Sequence, residues 1–177
     1  KMKPVEIVED PASLNKVIAI NIQKALAEAL AAKGKVDDSL SLTFAAVVED
    51  YYYGNEYMPV WSDTGVWKPI VHQLTAYLDT AARDGLFKEN YHFETISRIK
   101  ARLDRDSIAR TDAVLWTKAD LLCTDAFMHI ICDLKKGRLM NDSSSWKNDT
   151  AKYQRFFARH FDLFRKGMIY RGKRLVN

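Results

Sequence analysis

Apolar residues recur every three or four positions along most of the chain, which is the spacing of one face of an α-helix. The stripes with this spacing lie within residues 14–30, 44–52, 70–81, 96–103, 115–134 and 153–164. Glycine follows most of these stripes, where a left-handed residue can end a helix. The pattern therefore predicts an all-α fold, a compact bundle of about six helices.

The longest of these patterns runs from about residue 107 to residue 136 and has the broadest apolar face. A helix with such a face packs against neighbours on several sides, so we predict that it is the central helix of the bundle. The stretch from Glu56 to Trp67 has no helical period and contains Pro59, Gly65 and two tryptophans. It is predicted to be an ordered loop rich in aromatic residues.

The chain has 177 residues, the size of one domain with an appendage. The polar, serine-rich residues 141–148 are the one boundary that the composition indicates. We expect a helical domain over residues 1–140, and a hinge loop, a C-terminal helix and a basic tail over residues 141–177 that pack on it or link from it. No apolar run reaches the ~18 residues of a membrane span, so no transmembrane segment is expected. The chain does not open with the apolar core of a signal peptide, so we expect that any such peptide has been removed or never existed.

Charge is unevenly distributed along the sequence. Residues 135–177 carry 12 Lys and Arg against 3 Asp and Glu, a local charge of +9, which leaves −5 for residues 1–134. This segregation favours an anionic partner such as nucleic acid, a membrane surface or a cell-wall polymer, although an ordinary solvated surface also accounts for it. Because no RRM, KH or zinc-finger pattern occurs, nucleic acid is not the expected partner.

A possible reactive group lies in the long predicted helix. Asp125, His129 and Cys132 follow one another at i, i+4 and i+7, so the histidine could activate the thiol, or the three could bind a metal. One straight helix rarely brings three side chains to one point, and apolar residues surround them, so a buried thiol and a structural histidine are the favoured interpretation. Cys123 lies nine residues from Cys132, ~13 Å along the helix, which is too far for a disulfide.

No glycine loop for phosphate, no Cys-x-x-Cys, no Gly-x-Ser-x-Gly and no His-Glu-x-x-His occurs. We therefore assign no catalytic, cofactor-binding or metal-binding residue from the sequence. The dense aromatic group can instead form part of the core or a platform for sugars or bases. Helical spacing assigns Tyr51 and Tyr52 to the core, and the candidate ligand contacts are Tyr57, Trp61 and Trp67.

Four short blocks occur in an order that resembles a known family. They are Tyr52-Tyr53 with Pro59-Val60-Trp61, Ala81 through Gly85-Leu86 to Tyr91, Asp120-Leu121-Leu122-Cys123-Thr124-Asp125-Ala126-Phe127, and Asp133-Leu134 with Gly137-Arg138. Their order and spacing over about residues 40–140 resemble the helical scaffold domain that precedes the catalytic domain of large murein L,D-transpeptidases. The family pattern has an aromatic pair, Pro-x-Trp, Gly-Leu with a Tyr, and an Asp-x-Leu-x-Thr-x-Ala helix that ends in Gly-Arg.

The resemblance implies an exported, periplasmic protein of the cell envelope that takes part in peptidoglycan cross-linking. The family nucleophile is a cysteine in Ser-x-Gly-Cys, a motif that neither Cys123 nor Cys132 matches. The resemblance therefore implies a non-catalytic scaffold whose partners are peptidoglycan or the catalytic domain of the same protein, which this chain does not contain.

Contacts with the polymer or the partner are expected at the basic end, and the residues to test there are Arg138, Lys147, Arg155 and Arg159. Two alternatives remain open from the sequence. One is a helical module that binds an anionic polymer, either nucleic acid or wall polymer. The other is a thiol enzyme that uses Cys132 and His129.

Overall fold

A computed structural model describes residues 5–37 and 40–136 of the chain, with Lys136 described by its backbone alone. Within these ranges the protein is mostly helical, as the sequence predicts. Its helices are α1 (Pro11–Ala31), α2 (Ala45–Tyr53), α3 (Ile70–Thr80), α4 (Phe93–Arg105) and α5 (Ala113–Lys136). The sixth predicted helix, the hinge loop and the basic tail lie outside the described residues. No helix in the described ranges is long and apolar enough to cross a membrane.

The first helix has a defined beginning and end. The Asp10 carboxylate accepts hydrogen bonds from the backbone N–H groups of Ala12 and Ser13, at 3.1 Å each, and Pro11 occupies the first helical turn. After the helix, Gly34 has a φ of 95°, and a Cβ there would collide with the carbonyl oxygen of Leu42. Glycine is therefore required at this turn, both for its backbone conformation and for the close approach of the next segment.

Helix α5 lies at the centre of the fold, in contact with the other four helices. It begins at Ala113, later than the predicted start near residue 107, because the Asp112 side chain caps it. One carboxylate oxygen, Oδ1, accepts from the backbone N–H of Val114 and from that of Glu6, both at 3.0 Å. Asp112 thus ends the preceding turn and also attaches the N-terminal segment to the start of α5.

The predicted aromatic loop connects α2 to α3 and contains a very small hairpin. Strands β1 (Ser62–Asp63) and β2 (Val66–Trp67) pair antiparallel across the turn at Thr64 and Gly65, whose φ values are 48° and 79°. The side chain of Asn15 on α1 holds this turn: its Nδ2 donates to the Asp63 carboxylate at 2.8 Å, and its Oδ1 accepts from Thr64 N at 2.9 Å. The loop is therefore fixed to the helical body at its tip.

Between α3 and α4 the chain reverses through short 3-10 turns. Gly85 takes a left-handed φ of 74°, and the Leu86 N–H donates to the Ala81 carbonyl at 3.1 Å, as in a helix ending of the Schellman type. His92 also has a left-handed φ, 57°, and stands immediately before α4. The imidazole of His92 contacts α5, as described below.

Candidate functional site

A carboxylate at the middle of α5 joins three parts of the fold. Asp120 is completely buried. Its Oδ1 accepts from the Tyr52 hydroxyl on α2 and from the backbone N–H of Val60 at 2.8 Å, and its Oδ2 accepts from the backbone N–H of Trp61 at 3.1 Å. The two backbone groups belong to the aromatic loop, where no neighbouring strand or helix accepts from them. Asp120 therefore supplies the acceptors that this loop needs.

One turn later on the same helix, Thr124 completes the arrangement. Its Oγ1 accepts from the indole Nε1 of Trp61 at 2.7 Å and lies 2.9 Å from the Tyr52 hydroxyl oxygen. Because residues i and i+4 share a helix face, Asp120 and Thr124 meet the loop together. We call Tyr52, Val60, Trp61, Asp120 and Thr124 the loop anchor.

Burial dominates the electrostatics of the loop anchor. It raises the pKa of Asp120 from 3.8 to about 6, although the hydrogen bonds from Tyr52, Val60 and Trp61 oppose the rise. The pKa of the Tyr52 phenol is raised well above 10, first by burial and then by the nearby Asp120. The tyrosine therefore stays protonated and serves as a hydrogen-bond donor.

A second set of polar contacts lies further along α5. The buried Asp125 carboxylate accepts from the backbone N–H of Phe44 at 2.8 Å, and its other oxygen lies 2.9 Å from His92 Nε2. The start of α2 and the start of α4 are thus both joined to α5 by one carboxylate. His92, for which the sequence indicates no partner, is the residue that sequence reasoning missed here.

The last turns of α5 carry a third contact. The hydroxyl of Tyr91 donates to Asp133 Oδ2 at 2.6 Å, and His129 Nε2 lies 3.5 Å from the same oxygen. The His129 ring also makes edge contacts with the rings of Phe44 and Tyr91, at centroid distances of 5.4 and 4.9 Å. The His129 ring therefore contacts two aromatic rings and lies beside the Asp133 carboxylate.

Both thiols lie inside the fold. Cys123 and Cys132 are buried and form no disulfide with each other. Burial, and secondarily Asp120, raises the pKa of Cys123 well above 9, so this thiol stays protonated. Cys132 is only 4% exposed, which denies a substrate access to its sulfur. Within the described ranges, no group of three or more His, Cys, Asp and Glu is placed to hold a metal ion.

The aromatic residues predicted as ligand contacts have different positions. Trp61 is 0% exposed and packs edge-on against Phe127, so it belongs to the core and offers no ring face to a ligand, which corrects the expectation for this residue. Trp67 is half-buried against Trp116, with a ring centroid distance of 4.6 Å. Tyr57 is also half-buried, and its hydroxyl donates to Glu49 at 3.1 Å. Tyr52 is completely buried, as the helical spacing predicts.

The basic candidates have no structural description. Arg138, Lys147, Arg155 and Arg159 lie outside the described residues, so their proposed contacts stay predictions.

The four sequence blocks meet in space as two pairs. The aromatic pair and the Pro-x-Trp segment contact the Asp120–Thr124 part of α5, and the block that ends in Tyr91 contacts Asp133. The fold and these contacts define a class of protein, a helical domain whose buried polar side chains hold its own elements and its aromatic loop in place.

Comparison with known proteins gives the family. A family model described as Scaffold domain matches residues 46–162, more than half of the chain. The chain therefore belongs to the family of scaffold domains of L,D-transpeptidases. Neither a curated protein nor a solved structure gives a significant match.

Proposed function

We propose that this chain is the non-catalytic scaffold of a murein L,D-transpeptidase, which supports the catalytic domain of the same protein during peptidoglycan cross-linking. One observation carries the proposal beyond the family: the residues of the four sequence blocks meet in buried contacts within the fold. Asp120, Thr124 and Asp133 bind the loop, α2 and Tyr91. Such contacts make the domain rigid. In the described ranges, the same blocks surround no accessible nucleophilic side chain.

Rigidity is what a supporting domain requires. A catalytic domain acts on an extended wall polymer, and a misplacement of about 1 Å is enough to reduce a rate severely. The loop anchor fixes 16 residues between α2 and α3, Gly54 to Pro69, which would otherwise be a long irregular connection. A domain whose loop is fixed in this way presents a surface of constant shape to a partner domain.

The proposal includes the partners and the compartment. We propose that the partners are the catalytic domain of the same polypeptide and peptidoglycan, and that the protein works in the periplasm. The family supports the first partner, because a scaffold domain implies a catalytic domain to support. Peptidoglycan and the periplasm follow from the activity proposed for the whole protein.

The test uses the complete polypeptide encoded by the parent reading frame, in which we expect a Ser-x-Gly-Cys segment. The purified polypeptide is incubated with muropeptides, and cross-links between diaminopimelate residues are measured by mass spectrometry. We expect cross-links with the complete polypeptide and none with residues 1–177 alone. Cross-linking by residues 1–177 alone, or none by the complete polypeptide, would contradict the proposal.

A matched pair of variants tests the supporting role. Asp120→Ala removes the acceptor of the loop anchor, whereas Asp104→Ala removes a carboxylate that pairs with Lys100 at the surface of α4. In the complete polypeptide we expect Asp120→Ala to lower the cross-linking rate and Asp104→Ala to leave it unchanged. An unchanged rate in both variants would show that catalysis does not depend on the anchored loop.

Thiol labelling separates the scaffold from a thiol enzyme. With an aromatic disulfide reagent, we expect Cys123 and Cys132 of native residues 1–177 to react only as fast as the domain unfolds, because both are buried. The control is the same protein in denaturant, where both should react at once. Rapid labelling of Cys132 in the native protein would favour the enzyme interpretation.

A further inference from the structure

The central carboxylate of the loop anchor is a buried charge without a counter-ion in the described ranges. Asp120 is 0% exposed, and the groups that donate to it are a phenol and two backbone N–H groups. Lys68 acts on it electrostatically, but the Lys68 ammonium donates to the Pro59 carbonyl at 3.1 Å. Asp125, further along α5, lies 2.9 Å from an imidazole instead. An unpaired charge inside a protein is costly, so the site of Asp120 favours the neutral carboxyl group.

The elements packed around Asp120 bring little charge to it. In the part of the chain that the structure describes, the buried side chains of α1, α3 and α4 are all apolar. Helix α2 contributes the phenol of Tyr52, whose pKa the neighbouring Tyr51 also raises, and α5 contributes the thiol of Cys123. Burial keeps this phenol and this thiol protonated. A proton on Asp120 is therefore held by hydrogen bonds within the loop anchor, against the opposing charge of Lys68.

Two hydroxyl groups beside Asp120 form a chain of hydrogen bonds that has two possible directions. The Tyr52 hydroxyl lies between Asp120 Oδ1 and Thr124 Oγ1, and the 2.9 Å between the two hydroxyl oxygens fits a bond donated by either of them. The Trp61 indole donates to the same Thr124 oxygen and holds it in place. Since a hydroxyl group both donates and accepts, the direction of this chain is set by the protonation state of the carboxyl group.

We propose that Asp120, Tyr52 and Thr124 form a reversible hydrogen-bond relay, which binds one proton while the fold and the aromatic loop stay in place. In the ionised state, the Thr124 hydroxyl donates to Tyr52, and Tyr52 donates to the carboxylate. In the protonated state, the carboxyl group donates to Tyr52, and Tyr52 donates to Thr124. Both states satisfy the Tyr52 hydroxyl as donor and as acceptor, so neither state leaves it unpaired in the core.

The proton balance of the relay requires one further acceptor. A solvent proton binds Asp120 Oδ1, the hydrogens of Tyr52 and Thr124 rotate, and no bond between heavy atoms changes. The Thr124 hydrogen then turns to a backbone carbonyl of the preceding helical turn, as threonine hydroxyls do in helices. Thr117 on the same helix shows this arrangement, since its hydroxyl donates to the Ala113 carbonyl at 2.8 Å. The last hydrogen of the relay is therefore accepted within α5.

The aromatic loop keeps its acceptors in both states. A protonated carboxyl group retains acceptor capacity, so Oδ1 of Asp120 still accepts from Val60 and Oδ2 from Trp61. Burial raises the pKa of Asp120 to about 6, which agrees with a site that binds a proton in the folded protein. The relay acts within the domain itself, so it does not depend on the function proposed above.

Nuclear magnetic resonance of the full chain, residues 1–177, measures the proton directly. The carbon-13 shift of the Asp120 carboxyl carbon is followed over about pH 4–8, and Asp120→Asn identifies the signal. We expect a single titration with its midpoint near pH 6, while the backbone amide shifts keep the dispersion of a folded protein. In Raman spectra, the tyrosine doublet that Tyr52→Phe removes should change from a donor to an acceptor signature across the same midpoint.

A matched pair of threonine variants tests the direction of the relay. Thr124→Val removes its last member, so the protonated carboxyl group loses support, and the midpoint should fall by about one pH unit, a tenfold loss of proton affinity. Thr117→Val makes the same change at a buried threonine of α5 whose hydroxyl donates to the Ala113 carbonyl. With this control we expect the midpoint to stay within about 0.2 pH unit of the wild type.

Four results would each overturn the relay. They are an Asp120 carboxylate that stays ionised until acid unfolds the protein, a Tyr52 signal that does not change at the midpoint, a midpoint that Thr124→Val leaves unchanged or raises, and an equal shift in Thr117→Val. The third result is expected if Tyr52 donates to Asp120 in both states. If Thr124→Val does not fold, the two wild-type titrations decide, because the relay requires Asp120 and Tyr52 to change together.

Discussion

Helices α5 and α4 use charged residues in opposite ways. On α5, Asp120, Thr124 and Asp125 are 0% exposed, and each is hydrogen-bonded to another element. On α4, buried positions are apolar and charged side chains face outwards. The central helix is surrounded on most sides, so its polar groups must be satisfied within the protein, whereas the peripheral helix can offer its charges to a partner. Location in the fold, and not residue type, decides whether a carboxylate is structural.

The largest expected effect is that of Asp120→Ala. Removing this carboxylate leaves the backbone N–H groups of Val60 and Trp61 without their acceptor in a buried site. Each lost partner costs about 1–3 kcal/mol, so we expect the free energy of unfolding to fall by about 4 kcal/mol. Urea denaturation monitored by tryptophan fluorescence measures it.

The control for this prediction is Asp104→Ala on α4, which removes only a surface ion pair with Lys100. We expect this substitution to change the free energy of unfolding by less than about 0.5 kcal/mol. If the two variants lost similar stability, the contrast between a central and a peripheral carboxylate would be wrong.

The next largest effect concerns pH. The pKa of Asp120 is about 6 in the folded protein against 3.8 ordinarily, so the folded state binds its proton more tightly than the unfolded chain does. The resulting stabilisation is complete below pH 3.8 and is lost as the pH rises through about 6. From pH 4 to pH 7 this group alone should lower the free energy of unfolding by about 2 kcal/mol.

Asp120→Asn isolates this contribution because an amide does not titrate. We expect the stability difference between wild type and Asp120→Asn to be largest near pH 4 and to narrow towards pH 7, in urea titrations at several pH values. The exposed Asp10 provides the contrast, since hydrogen bonds from Ser13 and Ala12 lower its pKa and its stabilisation is lost as pH falls. A difference that stays constant with pH would show that Asp120 is ionised throughout.

A smaller effect is expected at the adjacent tyrosines. Tyr52→Phe removes the hydroxyl that joins Asp120 and Thr124. This should lower the free energy of unfolding by about 1–2 kcal/mol. Tyr53→Phe changes a side chain that is 71% exposed and should stay within about 0.5 kcal/mol of the wild type. Thermal unfolding of the two variants measures the difference, and equal effects would exclude Tyr52 from the anchor.

The sequence predicts the helices well because their apolar positions repeat with the helical period. The apolar stripe at residues 96–103 lies within α4, and two of the glycines that follow stripes, Gly34 and Gly85, have the left-handed backbone that can end a helix. The pattern places the start of α5 near residue 107, about six residues before its position in the structure. Periodicity alone could not show that Asp112 holds the N-terminal segment and so interrupts the helix there.

The candidate site was harder to predict, because its contacts join residues far apart in sequence. Trp61 was expected to contact a ligand, yet its indole donates to Thr124 on α5 and is completely buried. His92 and Asp125 are 33 positions apart, and no local pattern connects them. The i, i+4 spacing of Asp120 and Thr124 is the one local signal that two polar groups share a face of the central helix.

The smallest effects are expected on α4, where replacing single exposed arginines should change the free energy of unfolding only slightly and by different amounts. Arg98 lies one turn after Glu94 and one turn before Arg102, so Arg98→Gln removes one attraction and one repulsion of similar size, and the free energy of unfolding should change by less than about 0.3 kcal/mol. Arg105 lies in the last turn, where the helix dipole favours a cation, so Arg105→Gln should destabilise by about 0.3–1 kcal/mol.

Thermal unfolding at low and high salt resolves these small differences, because salt screens both charge effects and should bring the two variants together. A difference between the two variants at low salt that disappears at high salt would show that the arginines of α4 act on the fold only through weak, exposed charge interactions. Equal destabilisation that persists at high salt would show instead that their aliphatic stems pack on the body. The arginines would then serve the fold itself, and α4 would resemble α5 more closely than its charged face indicates.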